Sequence, residues 1–170
     1  MPDLRWYDSF IASFPCNISL DGVLGGFGHL TPVDVRDSNA FLRELRSDFP
    51  GICFDSAVDC GAGVGRVTKN LLLQNCRTVT LVEQSPRLLA AARDYLGPID
   101  EEKSVIYVQQ GLQVSISIIS PLLSKYSGSF QEFCPEENSY DLIWIQVLFQ
   151  AQSFSFLLKL NFIVGNWSSK

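Results

Sequence analysis

From Ser56 onward, short strand-like runs alternate with stretches of helical periodicity at close spacing. Ala57–Cys60 is a brief, mostly apolar run, Thr78–Glu83 alternates threonine with apolar residues, and Val105–Gln110 and Tyr140–Gln146 read as two further strands. Between them, Arg66–Leu73 and Ser85–Tyr95 carry helical spacing, and the second is rich in alanine and leucine and stops at Gly97. Short strands alternating with helices predict a mostly parallel sheet of four strands covered on both faces. A sheet of that kind takes ligands outside the carboxyl ends of its strands.

Upstream the pattern is helical and then irregular. Trp6, Tyr7, Phe10, Ile11 and Phe14 fall at roughly helical spacing before Pro15, which predicts a short N-terminal helix acting as a cap. Asp21–His29 holds four glycines in nine residues and reads as a loop whose backbone can approach a ligand or another segment closely. Asp37 and Ser38 are candidate N-caps for a helix over Asn39–Phe49, where Phe41, Leu42 and Leu45 share a face before Pro50 and Gly51 end it.

Composition narrows the chemistry. With 170 residues, 46% hydrophobic and 18% charged, the chain suits one domain with a true core rather than two. Thirteen basic against 18 acidic residues give a net charge of −5, which speaks against a nucleic-acid backbone as ligand and is compatible with a basic peptide. Five scattered cysteines form no C-x-x-C pair, so neither a metal site nor a disulfide framework is indicated, and a reducing compartment is the natural setting. No charged-then-apolar leader opens the sequence, and the apolar run Phe154–Val164 is too short for a bilayer. A soluble, intracellular protein without membrane attachment is expected.

The chemistry concentrates where the first strand turns into a helix. Asp59-Cys60-Gly61-Ala62-Gly63-Val64-Gly65-Arg66 is a glycine-rich turn that lets a cofactor lie against backbone N–H groups. Such a turn alone fits any tight strand-to-helix connection, but two companions change its weight. Glu83 closes the next strand 22 positions after Gly61, where a carboxylate can take both hydroxyls of an adenosine ribose, and Asp59 immediately precedes the turn. A dinucleotide fingerprint would place its third glycine where Arg66 stands, so the pyrophosphate logic fails. A sulfonium cofactor carries no phosphate, and an acidic, glycine-rich surround suits its charge.

The segments LDGVLGGFGHL (20–30), AVDCGAGVGRVTKNLLL (57–73), VEQS (82–85), GLQ (111–113) and SYDLIWIQ (139–146) together resemble the protein methyltransferases that act on N-termini of the Xaa-Pro-Lys/Arg type. The likeness covers about residues 5–113 and 132–146. It implies an α/β fold, the Rossmann-like sandwich of class I SAM-dependent methyltransferases, with an N-terminal helical cap and incomplete at the C-terminus. It implies S-adenosyl-L-methionine as cofactor, S-adenosyl-L-homocysteine as product, and cofactor contacts from Gly61, Arg66, Glu83, Gln84, Ser85, Leu112, Gln113 and Gln146. It further implies methyl transfer to the N-terminal α-amine of proteins beginning Xaa-Pro-Lys or Xaa-Pro-Arg, in nucleus and cytoplasm, with the loop Leu20–His29 closing over the site. Glu83 stands where the family has aspartate, one methylene shorter. His29, the only histidine, is expected to serve a structural hydrogen bond rather than catalysis. A small-molecule methyltransferase is disfavoured by the 20–30 loop.

On this reading residues 1–50 form the cap and glycine-rich loop, 51–146 the cofactor-binding core with an insertion at 114–131, and 147–170 a divergent apolar tail. The two departures, 18 residues at Val114–Gln131 and everything after Gln146, each begin with valine directly after glutamine. Valine codons begin with the splice-donor dinucleotide GT, and Phe130-Gln131 can be encoded by a pyrimidine-rich acceptor, so two retained introns are favoured over lineage-specific divergence. The insertion is expected to form a loose surface loop and the tail a poorly specified segment. The resemblance implies a tryptophan, an active-site histidine, a helix and three more strands beyond the fourth strand, while residues 147–170 contain no His, Asp or Glu. The expectation is therefore a chain that can hold the methyl donor but does not methylate protein N-termini at a useful rate, a protein that at most binds cofactor or a partner, with catalytic residues unassigned.

Overall fold

The structure is a computed structural model and describes residues 18, 20–24, 28–111, 139–151 and 154–162. The expected N-terminal helix, Leu112, Gln113 and the insertion Val114–Gln131 lie outside the described residues.

Five strands form one sheet in the order β3-β2-β1-β4-β5. β1 (Ser56–Cys60), β2 (Thr78–Glu83), β3 (Ser104–Gln109) and β4 (Leu142–Ala151) run parallel, with Asp59 level with Leu81 on one side and Trp144 on the other. β1 and β2 are buried on both faces after their first residue, as inner parallel strands require, whereas β3 at the edge is only half covered. The chain steps from β1 outward to β2 and β3, then returns to β4 on the opposite side of β1. The carboxyl ends of β1 and β4 therefore flank the point where strand order reverses, the place at which open parallel sheets bind ligands.

β5 (Phe154–Phe162) corrects the expectation of a poorly specified tail. It pairs antiparallel with β4, from Ala151 opposite Phe154 to Ile143 opposite Phe162, and β4 itself runs five residues past Gln146, the predicted end. Two features of the sequence account for this. Residues 154–162 alternate Phe, Phe, Leu, Leu, Phe with Ser, Leu, Lys, Asn, which is strand periodicity, and an unpaired β4 edge would leave a row of backbone groups without partners.

A one-turn helix α1 (Leu20–Val23) and a 3-10 turn at Gly28–Leu30 replace much of the expected loop at Asp21–His29. The helix that follows, α2, spans Thr31–Asp48, so Asp37 and Ser38 lie inside it rather than capping it. Pro32 in the first turn presets its dihedral angle, Asp34 there complements the helix dipole, and the Ser38 hydroxyl donates to the Asp34 carbonyl at 2.8 Å. The buried stripe is Asp34, Ser38 and Leu42. Its first two members are polar, so the apolar period shows only the second half of the helix.

After the glycine turn, helix α3 comprises a π-helical turn, Thr68–Leu72, followed by Leu73–Asn75. Helix α4 (Pro86–Leu96) begins at Ser85, whose hydroxyl accepts from Leu88 N, and ends at Gly97 with φ +66°. Leu42, Phe54, Leu71, Leu72, Val79, Leu142 and Trp144 form the main core, while Leu81, Leu89 and Ala92 seat α4.

Candidate functional site

β1 ends at Cys60, and the chain reverses through Gly61 (φ +70°) and Gly63 (φ +58°), conformations that β-carbon-bearing residues rarely adopt. Gly61 N and Ala62 N donate to the Val82 carbonyl at 2.9 and 3.0 Å, which fastens the turn to the end of β2. Gly65 serves a different purpose: a β-carbon there would sit 2.5 Å from Leu96 Cδ1 and 3.1 Å from Leu81 Cδ1, so the missing side chain lets α4 and β2 pack closely against the turn.

A cavity of about 140 Å³ opens at this turn. Gly61–Val64 form its floor, Leu20, Val23 and Leu24 of the α1 segment cover it, and Asp59, Arg66 and Gln146 contribute the polar side chains. Of the expected contacts, Gly61, Arg66 and Gln146 thus converge on one space. Glu83, Gln84 and Ser85 stand beside it at the carboxyl end of β2, where Gln84 Oε1 lies 3.4 Å from the position a Gly111 β-carbon would occupy. His29 is exposed in the 3-10 turn.

The carboxylates at the two strand ends are held differently. Glu83 is 4% exposed; its Oε2 accepts from Gly63 N at 3.0 Å and its Oε1 from Ser85 N at 2.9 Å. It therefore ties the turn after β1 to the start of α4. Asp59 is buried, and one of its oxygens accepts from both Thr68 N at 3.0 Å and Thr68 Oγ1 at 2.6 Å. Burial pushes its pKa from 3.8 to about 6, against the opposing pull of Thr68 and Arg66.

Asp34 is the residue that no motif pointed to. From the first turn of α2 its Oδ2 accepts from Arg66 Nη1 at 2.7 Å and Gln146 Nε2 at 2.9 Å. Trp144 Nε1 in turn donates to Gln146 Oε1 at 3.3 Å.

The cavity combines several kinds of group in its lining. Its walls are apolar on the α1 side, a glycine turn exposes peptide backbone, a buried carboxylate sits at the β1 end, and a guanidinium and a carboxamide lie together by α2. Such a set offers a cation to an anionic group and a carboxylate to a cationic one. Among the described residues no group of three or more His, Cys, Asp or Glu side chains could hold a metal ion.

Comparison with known proteins identifies the family. The chain is 37% identical over 129 residues to N-terminal Xaa-Pro-Lys N-methyltransferase 1 of Rattus norvegicus, covering 75% of this chain and 49% of that protein. It is 38% identical over 145 residues to alpha N-terminal protein methyltransferase 1 of Oryza sativa subsp. japonica, covering 84% of this chain and 43% of that protein. The chain thus spans about half the length of the curated relatives it matches. A SAM-dependent methyltransferase of Leishmania major superposes with a TM-score of 0.51 at 31% identity, covering 64% of this chain and 43% of the other. Residues 12–153 match the family described as AdoMet dependent proline di-methyltransferase, and the chain belongs to that family.

Proposed function

We propose that this chain binds S-adenosylmethionine in the cavity between the Gly61–Gly63 turn and the α1 segment, as the donor site for methyl transfer to the α-amine of protein N-termini beginning Xaa-Pro-Lys or Xaa-Pro-Arg. The observation that carries the reading is the Glu83 carboxylate bridging Gly63 N and Ser85 N at the end of β2, beside a cavity lined by Arg66 and Gln146. Gly61 offers backbone to the ligand, Glu83 its carboxylate to the ribose, and Gln84 and Ser85 complete the rim; Leu112 and Gln113, the remaining contacts the resemblance implies, lie outside the described residues.

The cofactor supplies an electrophilic methyl group on a sulfonium. The chain's own residues bind and exclude water: Leu20, Val23 and Leu24 form the apolar cover, and the fixed dipoles of the turn need no reorganisation when a ligand arrives. The acceptor must be a neutral amine, and an α-amino group titrates at roughly 7.7–8.0, so transfer should rise with pH through that range.

A second reading, in which the chain holds the cofactor without transferring its methyl group, is favoured by residues 147–170, which contain no His, Asp or Glu. One set of experiments decides. Calorimetry should give measurable affinity for S-adenosylmethionine that Glu83→Gln lowers by about 1.5–3 kcal/mol, the scale of a charged hydrogen bond. Equal affinity in both proteins would remove Glu83 from the site. Tritium transfer from labelled cofactor to a peptide beginning Ser-Pro-Lys, absent with the N-acetylated peptide, supports the first reading; binding without transfer supports the second.

A further inference from the structure

Side chains from distant parts of the chain meet at one oxygen atom. Asp34 Oδ2 is the common acceptor for Arg66 and Gln146, which lie 32 and 112 positions away in sequence. Chemistry fixes the direction of each bond. A carboxylate only accepts and an indole N–H only donates, so the Gln146 amide has one orientation, with Oε1 toward Trp144 and Nε2 toward Asp34. Arg66 and Gln146 line the cavity, whereas Asp34 stands behind them on α2, with Asp34 and Arg66 8% and 7% exposed.

We propose that Asp34 is a positioning residue of the donor site, acting through Arg66 and Gln146 to aim both at the amino-acid end of the cofactor. The proposal rests on reading the cavity as the S-adenosylmethionine site. Among the described residues Arg66 is the only cationic side chain lining that cavity, and a planar guanidinium anchored through Nη1 presents its remaining N–H groups at angles set by the anchor. Without the Asp34 carboxylate, Arg66 would lose its hydrogen-bonded ion-pair partner and Gln146 its charged acceptor, so neither would keep its aim.

A carboxylate that merely tied α2 to the sheet would matter equally to every ligand, whereas one that aims Arg66 would matter only to ligands with an amino-acid end. S-adenosylhomocysteine has that end and 5′-methylthioadenosine lacks it. Calorimetry with both ligands on wild type, Asp34→Asn and Arg66→Ala should show Asp34→Asn weakening S-adenosylhomocysteine at least about tenfold, the scale of a lost charged contact. The affinity for 5′-methylthioadenosine should stay within about threefold, the small change expected where no direct contact is lost. Adding Asp34→Asn to Arg66→Ala should change little further if Asp34 works through Arg66.

Both ligands are measured on the same preparation, with stoichiometry giving the folded fraction, so partial unfolding cannot imitate the selective loss. Equal losses for the two ligands, or none, would overturn the proposal while leaving the donor site standing. A wild-type chain that binds neither ligand would overturn the donor-site reading and the proposal together.

Discussion

Asp59 is held as a buried carboxylate at the end of β1, and Asp59→Asn tests what that arrangement costs the fold. The folded chain raises its pKa from 3.8 to about 6, chiefly through burial. Between those two values the folded state therefore binds more protons than the unfolded state, and stability falls as pH rises through that window. Below about pH 4 the effect is absent; above about pH 6 it is fully developed, at about 3 kcal/mol for a displacement of this size. Asparagine keeps an oxygen for Thr68 N and Thr68 Oγ1 but carries no charge. Part of the gain is offset, because neutral acceptors bond more weakly and the new amide N–H groups need partners. The variant should exceed wild type by about 1–3 kcal/mol at pH 7.5, with the gap closing by pH 4. Urea titrations from pH 4 to 8 read this directly, and parallel stability curves, or a wild type more stable at pH 7.5, would refute the reasoning. A charge kept in the fold at such a cost suits a cationic ligand, so the same variant should narrow the preference for S-adenosylmethionine over its uncharged-sulfur product.

Gly65→Ala places a β-carbon 2.5 Å from Leu96 Cδ1 at φ +76°, and strain and overpacking together should lower stability by about 2–4 kcal/mol, seen as a clear drop in melting temperature. An unchanged melting curve would show that the turn at Gly65 is not closely packed against Leu96. Burial pushes the Cys60 and Cys76 thiols up to about 12, whereas Cys53 is exposed. Iodoacetamide at pH 8, mapped by mass spectrometry, should therefore modify Cys53 in the native protein and reach Cys60 and Cys76 only in denaturant.

What could be read from the sequence follows from what each element buries. The strands at Ala57–Cys60 and Thr78–Glu83 were legible because inner parallel strands are buried on both faces, and the helix after Ser85 because its N-cap and the closing Gly97 are local signals. The start of α2 was hidden because its inward face begins with Asp34 and Ser38, polar residues whose partners lie elsewhere in the chain or on the helix itself. β5 was missed for a different reason: its alternation was present, but a strand exists only with a neighbour, and the neighbour is the unexpected continuation of β4. At the site, the turn and Glu83 carry recognisable spacing, whereas Arg66 and Gln146 are implied only by the family resemblance. Asp34 has neither signal, since its meaning arises only when α2 is laid against the carboxyl ends of β1 and β4.

Glu83 and Asp34 consequently test different properties of the same cavity. Glu83 is the last residue of β2, and its two oxygens satisfy backbone N–H groups in separate loops, one at Gly63 and one at Ser85. A shorter arm at this position would have to draw the two loops inward to keep both bonds, so the longer side chain is matched to the distance it bridges here. Glutamine keeps one acceptor oxygen but turns an NH2 group toward the other backbone N–H, and a buried N–H without a partner is costly whether or not a ligand is present. Loss of affinity in Glu83→Gln therefore combines a lost ligand contact with a loosened turn. Asp34 does not line the cavity and bonds to Arg66 and Gln146, which do, so on the proposal its effect is separable by choice of ligand. Reduced affinity for both ligands in Glu83→Gln, with selective loss in Asp34→Asn, would assign the turn to the nucleoside half of the site and the α2 contact to the other half.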